Sequence, residues 1–581
     1  MKIFFSTLHF GVLRNFELAV SRLAERGHQI RLLADEPDTF GGQELAEELA
    51  ARFPTRLTWG FSPSYDRESW FPVARKIRYG IDYLRFLEEP FISFPKLHER
   101  LAERVPRGLL WMMSVPLVNT ETGRRVVRNG LVALDSAMPR NPAMDAFLEA
   151  ERPDLLLLAS VTNTRSPQLD HLRSATALGV RTGVCVYSWD HLSSKALIRQ
   201  LPDRVLLWND TQKREAVELH GVPAERVVVT GAQCYDRLFE WRSNRTRADF
   251  AVSVGLPSDR PYLFYVCSAL TPDPRESEFV RDWLRAIRQS TDERLRKIGV
   301  LIRPHPERRS EWEHADLSGL DPVVVRGGNP INTDAKADYY DALVHSDAVV
   351  GLVTSAFLEA AIVGRPVLTL LHPDLRQHQE GMRHFRYLLD VEGGLLQVAR
   401  DFDEHLVHLS SALDGTHEWT VQQQRFLRAF VRPRGLDVPA TTDFVEAVEA
   451  IGVADEPVSS ETPVVPWFMP ILKSIIATSE HSLVLRPLLL DGREVAEEYR
   501  RGIQLKEHKR AKRRRKRERR QDRAARRRTK LEERAHTYRA SHARKTEIRR
   551  RKQRDKRTRV WSKRVDRMLL LGSLIRKRIG I

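Results

Sequence analysis

Nearly all-apolar runs punctuate the chain. KIFFS (2–6), HQIRLLA (28–34), DLLLLAS (154–160), RTGVCVYS (181–188), DRVLLWN (203–209) and RVVVTG (226–231) form one series. YLFYVCS (262–268), IGVLIRP (298–304), PVVVRG (322–327), AVVGLV (348–353) and RPVLTLL (365–371) form a second, after a charged break around residues 242–260. Short runs without polar alternation predict strands buried on both faces, hence parallel ones. The intervening segments read as helices. In VLRNFELAVSRLAERG, Leu13, Phe16, Val20 and Leu23 recur at helical spacing and Gly27 stands where a C-terminal cap belongs. Strand–helix alternation predicts an α/β fold of two successive Rossmann-like, doubly wound domains, residues 1–245 and 255–452, with a cleft between them. Residues 59–110, rich in aromatic and basic residues, read as a helical insertion in the first domain and not as sheet. Residues 453–499, opening on the Pro-rich VADEPVSSETPVVPWFMP, read as a linker with short helices, and 500–581 as a tail.

Charge separates that tail from the rest. Residues 500–581 hold 36 Lys+Arg and 8 Asp+Glu; taken from totals of 95 and 77, this leaves 59 basic against 69 acidic residues in 1–499, a net of −10. The core KRAKRRRKRERRQDRAARRRTK has almost no apolar surface to bury, so the tail is expected to be helical or disordered. At its end Trp561, Val565, Met568, Leu569, Ile575 and Ile579 fall near helical spacing among basic residues, the pattern of a helix lying in a membrane interface. With so little aromatic interleaving, binding to nucleic acid would be of the phosphate-backbone kind and is the lesser expectation. The opening MKIFFSTLHFGVLRNFE is too short in apolar residues for a signal peptide, and GLLWMMSVPLV (108–118), the longest apolar run, is too short to span a bilayer. Cys185, Cys234 and Cys267 have neither disulfide nor metal-ligand spacing. A cytoplasmic protein, peripheral to the inner face of the membrane, is expected.

Candidate chemistry lies where the strands end, since ligands of doubly wound folds sit outside the carboxyl ends of the strands. In VLIRPHPERR (300–309) two prolines restrict Arg303 and His305, presenting a cation and an imidazole suited to a phosphate. In VVGLVTSAFLEAAIVGRP, Thr354 and Ser355 open a helix whose N–H groups would suit an anion, and Glu359, on the same face as Ser355, would suit a ribose or polyol hydroxyl. Read locally, the same residues are an ordinary N-cap and first turn. YSWDHLSSKA (187–196) gathers Trp189, Asp190, His191 and Lys195 in one loop, and VVVTGAQCYD (227–236) brings Gly231, which permits close backbone approach, ahead of Asp236. No Asp-x-Asp pair is placed for a metal.

In their order the four motifs resemble the GT-B superfamily, and within it the CDP-glycerol glycerophosphotransferases and surface-polysaccharide glycosyltransferases. Arg303, His305 and Pro306 match the family's Arg-x-His-Pro; Thr354, Ser355 and Glu359 match its serine-pair segment; Gly231 and Asp236 match its Gly-x-Pro-Arg-x-Asp; and Trp189 and Lys195 match its Trp-His-Gly-Thr-Pro-Leu-Lys. Where the family has a histidine after the tryptophan this chain has Asp190, and Gln233–Cys234 replaces Pro-Arg. The resemblance implies transfer of a nucleotide-activated sugar or glycerol phosphate to a polymer or lipid-linked acceptor. Gly231, Arg303, His305, Thr354, Ser355 and Glu359 would hold the donor, and Asp190, His191 and His305 would act in catalysis. The donor is a substrate, and neither cofactor nor metal is implied. A nucleotide-sugar 2-epimerase, or a non-catalytic protein of the same fold with a nucleic-acid-binding tail, are the alternatives.

Overall fold

A computed structural model describes residues 1–38, 41–63, 71–269, 275–376, 378–415, 418–453, 489–494, 496–497, 500 and 529–541. Two units are distinguished, Met1–Arg493 and Glu494–Ile581. In the second, residues 529–541 are helical and exposed throughout. The apolar stripe Trp561–Ile579 lies outside the described residues. Among those described, no helix is long and apolar enough to cross a membrane.

The first unit contains both expected sheets. One has seven strands: β1 (Lys2–Thr7), β2 (Gln29–Ala34), β3 (Leu57–Phe61), β4 (Leu155–Leu158), β5 (Arg181–Cys185), β6 (Arg204–Leu207) and β7 (Val227–Val229). The other has six: β8 (Tyr262–Val266), β9 (Gly299–Arg303), β10 (Val323–Val325), β11 (Ala348–Gly351), β12 (Val367–Leu370) and β13 (Gln397–Ala399). Their orders are β3-β2-β1-β4-β5-β6-β7 and β10-β9-β8-β11-β12-β13, all neighbours being parallel. Each reverses direction beside its first strand, the doubly wound plan of a Rossmann-like domain. The central strands β4, β8, β9, β11 and β12 are buried at every position, which is why their sequences lack alternation. The expected pair of doubly wound α/β domains is therefore present.

Three expectations about boundaries change. Residues 59–61 belong to β3, an edge strand with half-exposed positions, and the insertion is the helical stretch Phe71–Phe86, Lys96–Ala102, Arg107–Met113, Glu121–Ser136 and Pro142–Glu151. It has its own core around Tyr79, Leu84, Phe86, Phe91 and Leu97. Buried Arg78 fixes it to helix Gln168–Ala177, bonding Asp135 within the insertion at 2.9 Å and Asp170 of that helix at 2.6 Å. Second, the expected first helix begins as a tighter 3-10 turn, Phe10–Asn15, and only Glu17–Glu25 is α-helical. Third, the second domain does not extend to residue 452. Helix Ala440–Val453 returns to the first domain, where Phe444, Val445, Val448 and Ile451 pack with Ile3, Phe5 and Phe16. Nothing local in the sequence shows which sheet this helix covers.

Candidate active site

The return of the chain explains the third motif. Gly231 has φ of +80°, and a Cβ there would fall 2.8 Å from the Ala440 side chain. Its missing side chain thus makes room for the returning segment. Asp236 is buried and bonds Arg432 (2.5 and 3.0 Å) and the Thr441 N–H (2.6 Å). Gly231 and Asp236 are a structural joint.

On the second domain, β9 delivers Arg303 to the sheet's carboxyl edge opposite Val266. Its guanidinium stacks on Tyr339 at 4.1 Å and donates to the Gly328 carbonyl, under a loop so close that a Cβ on Gly327 would meet its Cγ at 2.9 Å. Tyr339 in turn donates its hydroxyl proton to Glu359. Arg303 is therefore a buried support that orients Tyr339 and Glu359, and less of it is presented to a ligand than the motif led one to expect. Burial pushes the Glu359 carboxyl above its ordinary range, against Tyr339, Arg14 and Arg303, which favour the anion. His305 is half-buried, its Nδ1 accepting from the Glu307 N–H at 3.3 Å, and burial lowers its pKa.

Helix Ala356–Ile362 is short, and its first amides are taken up locally. Ala356 N–H donates to Thr354 Oγ1 at 3.3 Å, and Leu358 N–H to the Ser355 carbonyl at 3.0 Å. Thr354 so acts as an internal cap, while Ser355 is exposed. The N–H groups read from the sequence as an anion cradle are already satisfied in the turn.

The first domain supplies a residue that sequence reading passed over. Arg14, exposed in the 3-10 turn after β1, donates to Asn329 Oδ1 across the cleft at 3.1 Å. Its charge reaches Glu359 and His305 on one side and Tyr187 on the other. The signal existed: Arg14 follows a strand end, but the apolar spacing of Leu13, Phe16 and Val20 made it read as the outside of a helix. Beside it, Glu17 holds Lys336 of the second domain and Arg237, the latter at 2.6 Å.

The loop after β5 is dense, as expected. Ser188 donates to Asp190 Oδ1 at 2.6 Å, and Lys195 lies 3.2 Å from Oδ2. Burial opposes ionisation of Asp190, but Lys195, His191, His384 and the Ser188 bond outweigh it and hold the carboxyl well below its ordinary value. His191 is buried edge-on against Tyr187, with centroids 4.4 Å apart, and burial lowers its pKa to about 4. Helix Arg383–Asp390 of the second domain closes over this loop. His384 meets Trp189 edge-on at 4.9 Å, and Tyr387 donates to buried Glu215, whose pKa burial raises to about 7. His384, Tyr387 and Glu215 had no signal in the sequence because their partners are remote along the chain. Tyr187 senses both Asp190 and Arg14 and so links the two halves of the site.

The strand ends of the first domain thus carry a neutral imidazole beside a fixed carboxylate, those of the second a carboxyl bonded by Tyr339, and Arg14 bonds across to Asn329. Among the described residues no group of His, Cys, Asp and Glu is arranged to hold a metal ion.

No protein-family model and no curated protein matches this chain. Among solved structures it is similar to a putative UDP-N-acetylglucosamine 2-epimerase from Listeria monocytogenes, at 13% identity and a TM-score of 0.46 over 80% of this chain and 98% of that one. It is also similar to a glycosyltransferase from Rickettsia africae ESF-5, at 10% identity and a TM-score of 0.45 over 78% and 98% of the two chains. A third is WaaG, a glycosyltransferase involved in lipopolysaccharide biosynthesis, at 11% identity and a TM-score of 0.42 over 78% and 100%.

Proposed function

We propose that the chain is a transferase that moves a nucleotide-activated sugar or glycerol phosphate to a hydroxyl of a cell-surface polymer or lipid-linked acceptor. What supports this is the convergence of Arg14, His305 and Glu359 at the carboxyl ends of two doubly wound sheets, opposite the Asp190–His191 pair. In this reading Arg14 and His305 face the donor's phosphates, Glu359 accepts a donor hydroxyl, and Arg303 keeps Glu359 in place through Tyr339. The acceptor oxygen forms its bond to the transferred carbon or phosphorus as the bond to the leaving nucleotide oxygen breaks. Negative charge then grows on the leaving group, where a fixed cation stabilises it most. The acceptor proton passes to His191, which is neutral at pH 7, and the Asp190 anion stabilises the resulting imidazolium. Asp190 itself, with both oxygens engaged, is the poorer base. The basic tail would hold the enzyme at an anionic membrane surface, as a lipid-linked acceptor requires.

Thermal-shift measurement on the full-length protein with CDP-glycerol and a panel of nucleotide sugars tests this reading. A true donor at 100 times its Kd should stabilise the protein by about 2.7 kcal/mol. Absence of a shift with every nucleotide would overturn it. Carboxylates on both walls, Asp190 and Glu359, would also suit a nucleotide-sugar 2-epimerase. Product analysis distinguishes a 2-epimer formed without acceptor from transfer that needs one.

A further inference from the structure

The helical insertion exposes apolar side chains that its core does not use. Trp111 is 68% exposed, Leu117 82% and Val126 66%. All three lie on or between helices Arg107–Met113 and Glu121–Ser136. Gly80, on helix Phe71–Phe86, lies under both neighbouring helices: a Cβ there would meet Leu109 of Arg107–Met113 at 2.8 Å and Leu131 of Glu121–Ser136 at 3.1 Å. The two helices therefore lie side by side on Phe71–Phe86 and turn their opposite faces outward together. Arg107 and Trp111, four apart and both exposed, lie on one such face, and Arg125, Val126 and Asn129 on the other. The connection between them is tight. A Cβ on Gly123 would fall 2.3 Å from the Val118 carbonyl, and Thr120 Oγ1 donates to the Leu117 carbonyl at 3.1 Å, so Leu117 stands beside the start of the second helix.

Charge selects the partner. Residues 71–140 carry twelve Lys+Arg against seven Asp+Glu, within a stretch, 1–499, that is net acidic. Arg124 donates to Asn119, Arg125 pairs with Glu121 at 2.5 Å and Arg128 with Glu88, all in the segments that carry the apolar residues or beside them. The same insertion borders the proposed acceptor loop: Arg85 donates to the Lys195 carbonyl at 2.7 Å and Arg100 to that of Ser194 at 2.5 Å. Residues just before the basic tail also anchor here, with the Arg107 N–H bonding the Leu490 carbonyl at 3.1 Å and Arg493 lying 3.6 Å from Glu103.

We propose that this outer face, with Trp111, Leu117 and Val126 at its centre and Arg107, Arg124 and Arg125 around them, docks into the headgroup region of an anionic lipid bilayer. Tryptophan and aliphatic side chains enter the acyl boundary while arginines stay with the headgroups, and the contact survives salt because part of it is apolar. This inference stands apart from the nucleotide reading and needs no catalysis for its test.

The test is co-sedimentation of the full-length protein with phosphatidylglycerol–phosphatidylcholine vesicles at about 1 M salt, where the screening length falls to about 3 Å and attraction of the tail alone is suppressed. Trp111→Glu/Leu117→Glu should lower partitioning at least about tenfold while melting like the parent. If that pair lowers the melting temperature, Leu117→Ser/Val126→Ser is read in the same way. Equal partitioning of parent and variant at high salt, or no partitioning of the parent, would overturn the proposal. Concentration-dependent self-association that the substitutions abolish, without vesicle binding, would assign the face to a second copy of the chain and overturn it as well.

Discussion

Arg14 sits in a turn too irregular for periodicity to find, yet its charge acts on Glu359, His305 and Tyr187. Arg14→Ala is expected to lower kcat/KM about 10²-fold, as loss of one well-placed electrostatic donor does. Arg14→Lys should recover part of this, since a point charge replaces a planar one. The fold should be unaffected, because the side chain is exposed and makes one bond to Asn329. The Asp190–His191 pair gives a finer test. Asp190 raises the His191 pKa against the effect of burial. Asp190→Asn should therefore move the acidic limb of the pH–kcat/KM profile to lower pH, whereas His191→Ala should abolish the limb and cost about 10²–10⁴ in rate. An unmoved limb in Asp190→Asn would separate the two residues functionally. Asp190, His191, His305 and Glu359 were legible because each follows a strand end in a polar cluster. Arg303 was found by the same rule, but only the folded loop at Gly327–Gly328 shows how far it is covered.

At the level of elements, the strands were legible wherever both faces are buried, and missed at β3 and β13. β3 is an edge strand whose Thr58, Trp59 and Gly60 mix exposed and half-buried positions, and β13, Gln-Val-Ala, lacks the all-valine run that marks the equally short β7 and β10. The GAQCYD segment was recognised but its meaning was not, because its partner, Ala440–Val453, is two hundred residues away. The Asp236–Arg432 pair and the Ala440 contact hold that helix on the first domain. Asp236→Ala leaves Arg432 buried without its carboxylate and should cost about 3–5 kcal/mol. Gly231→Ala forces a side chain into a left-handed backbone against Ala440 and should cost about 1–3 kcal/mol. Thermal unfolding measures both. If either variant keeps the parental transition, the joint is not what binds the returning helix. Loss of donor binding in Gly231→Ala without loss of stability would return that glycine to the donor site.

Over the whole molecule, burial of ionisable groups sets how stability depends on pH. Five buried histidines stay neutral in the fold, His171, His191 and His384 with pKa values of about 4 and His220 and His405 of about 3, while three buried carboxyls, Asp35, Glu215 and Glu276, are raised to about 7. A histidine whose folded pKa is depressed costs stability as pH falls below its unfolded value of 6.5, because the unfolded chain binds the proton first. A carboxyl whose folded pKa is raised acts oppositely: its contribution is lost as pH rises through about 7. Between roughly pH 5 and 6 the unfolded state thus binds about two more protons than the folded one, so stability should rise by roughly 3 kcal/mol per pH unit. Between about pH 6.5 and 7.5 the protons still held by the unfolded histidines and by the folded carboxyls nearly balance, so the rise should stop and stability should run almost flat towards pH 8. Denaturation midpoints measured across this range should level off between about pH 6 and 7, with Glu215→Gln extending the rise to higher pH and His405→Phe lessening it on the acidic side. A curve rising steadily to pH 8 would mean that the three carboxyls ionise normally, and that Glu215 beside the Asp190 loop is already an anion at neutral pH.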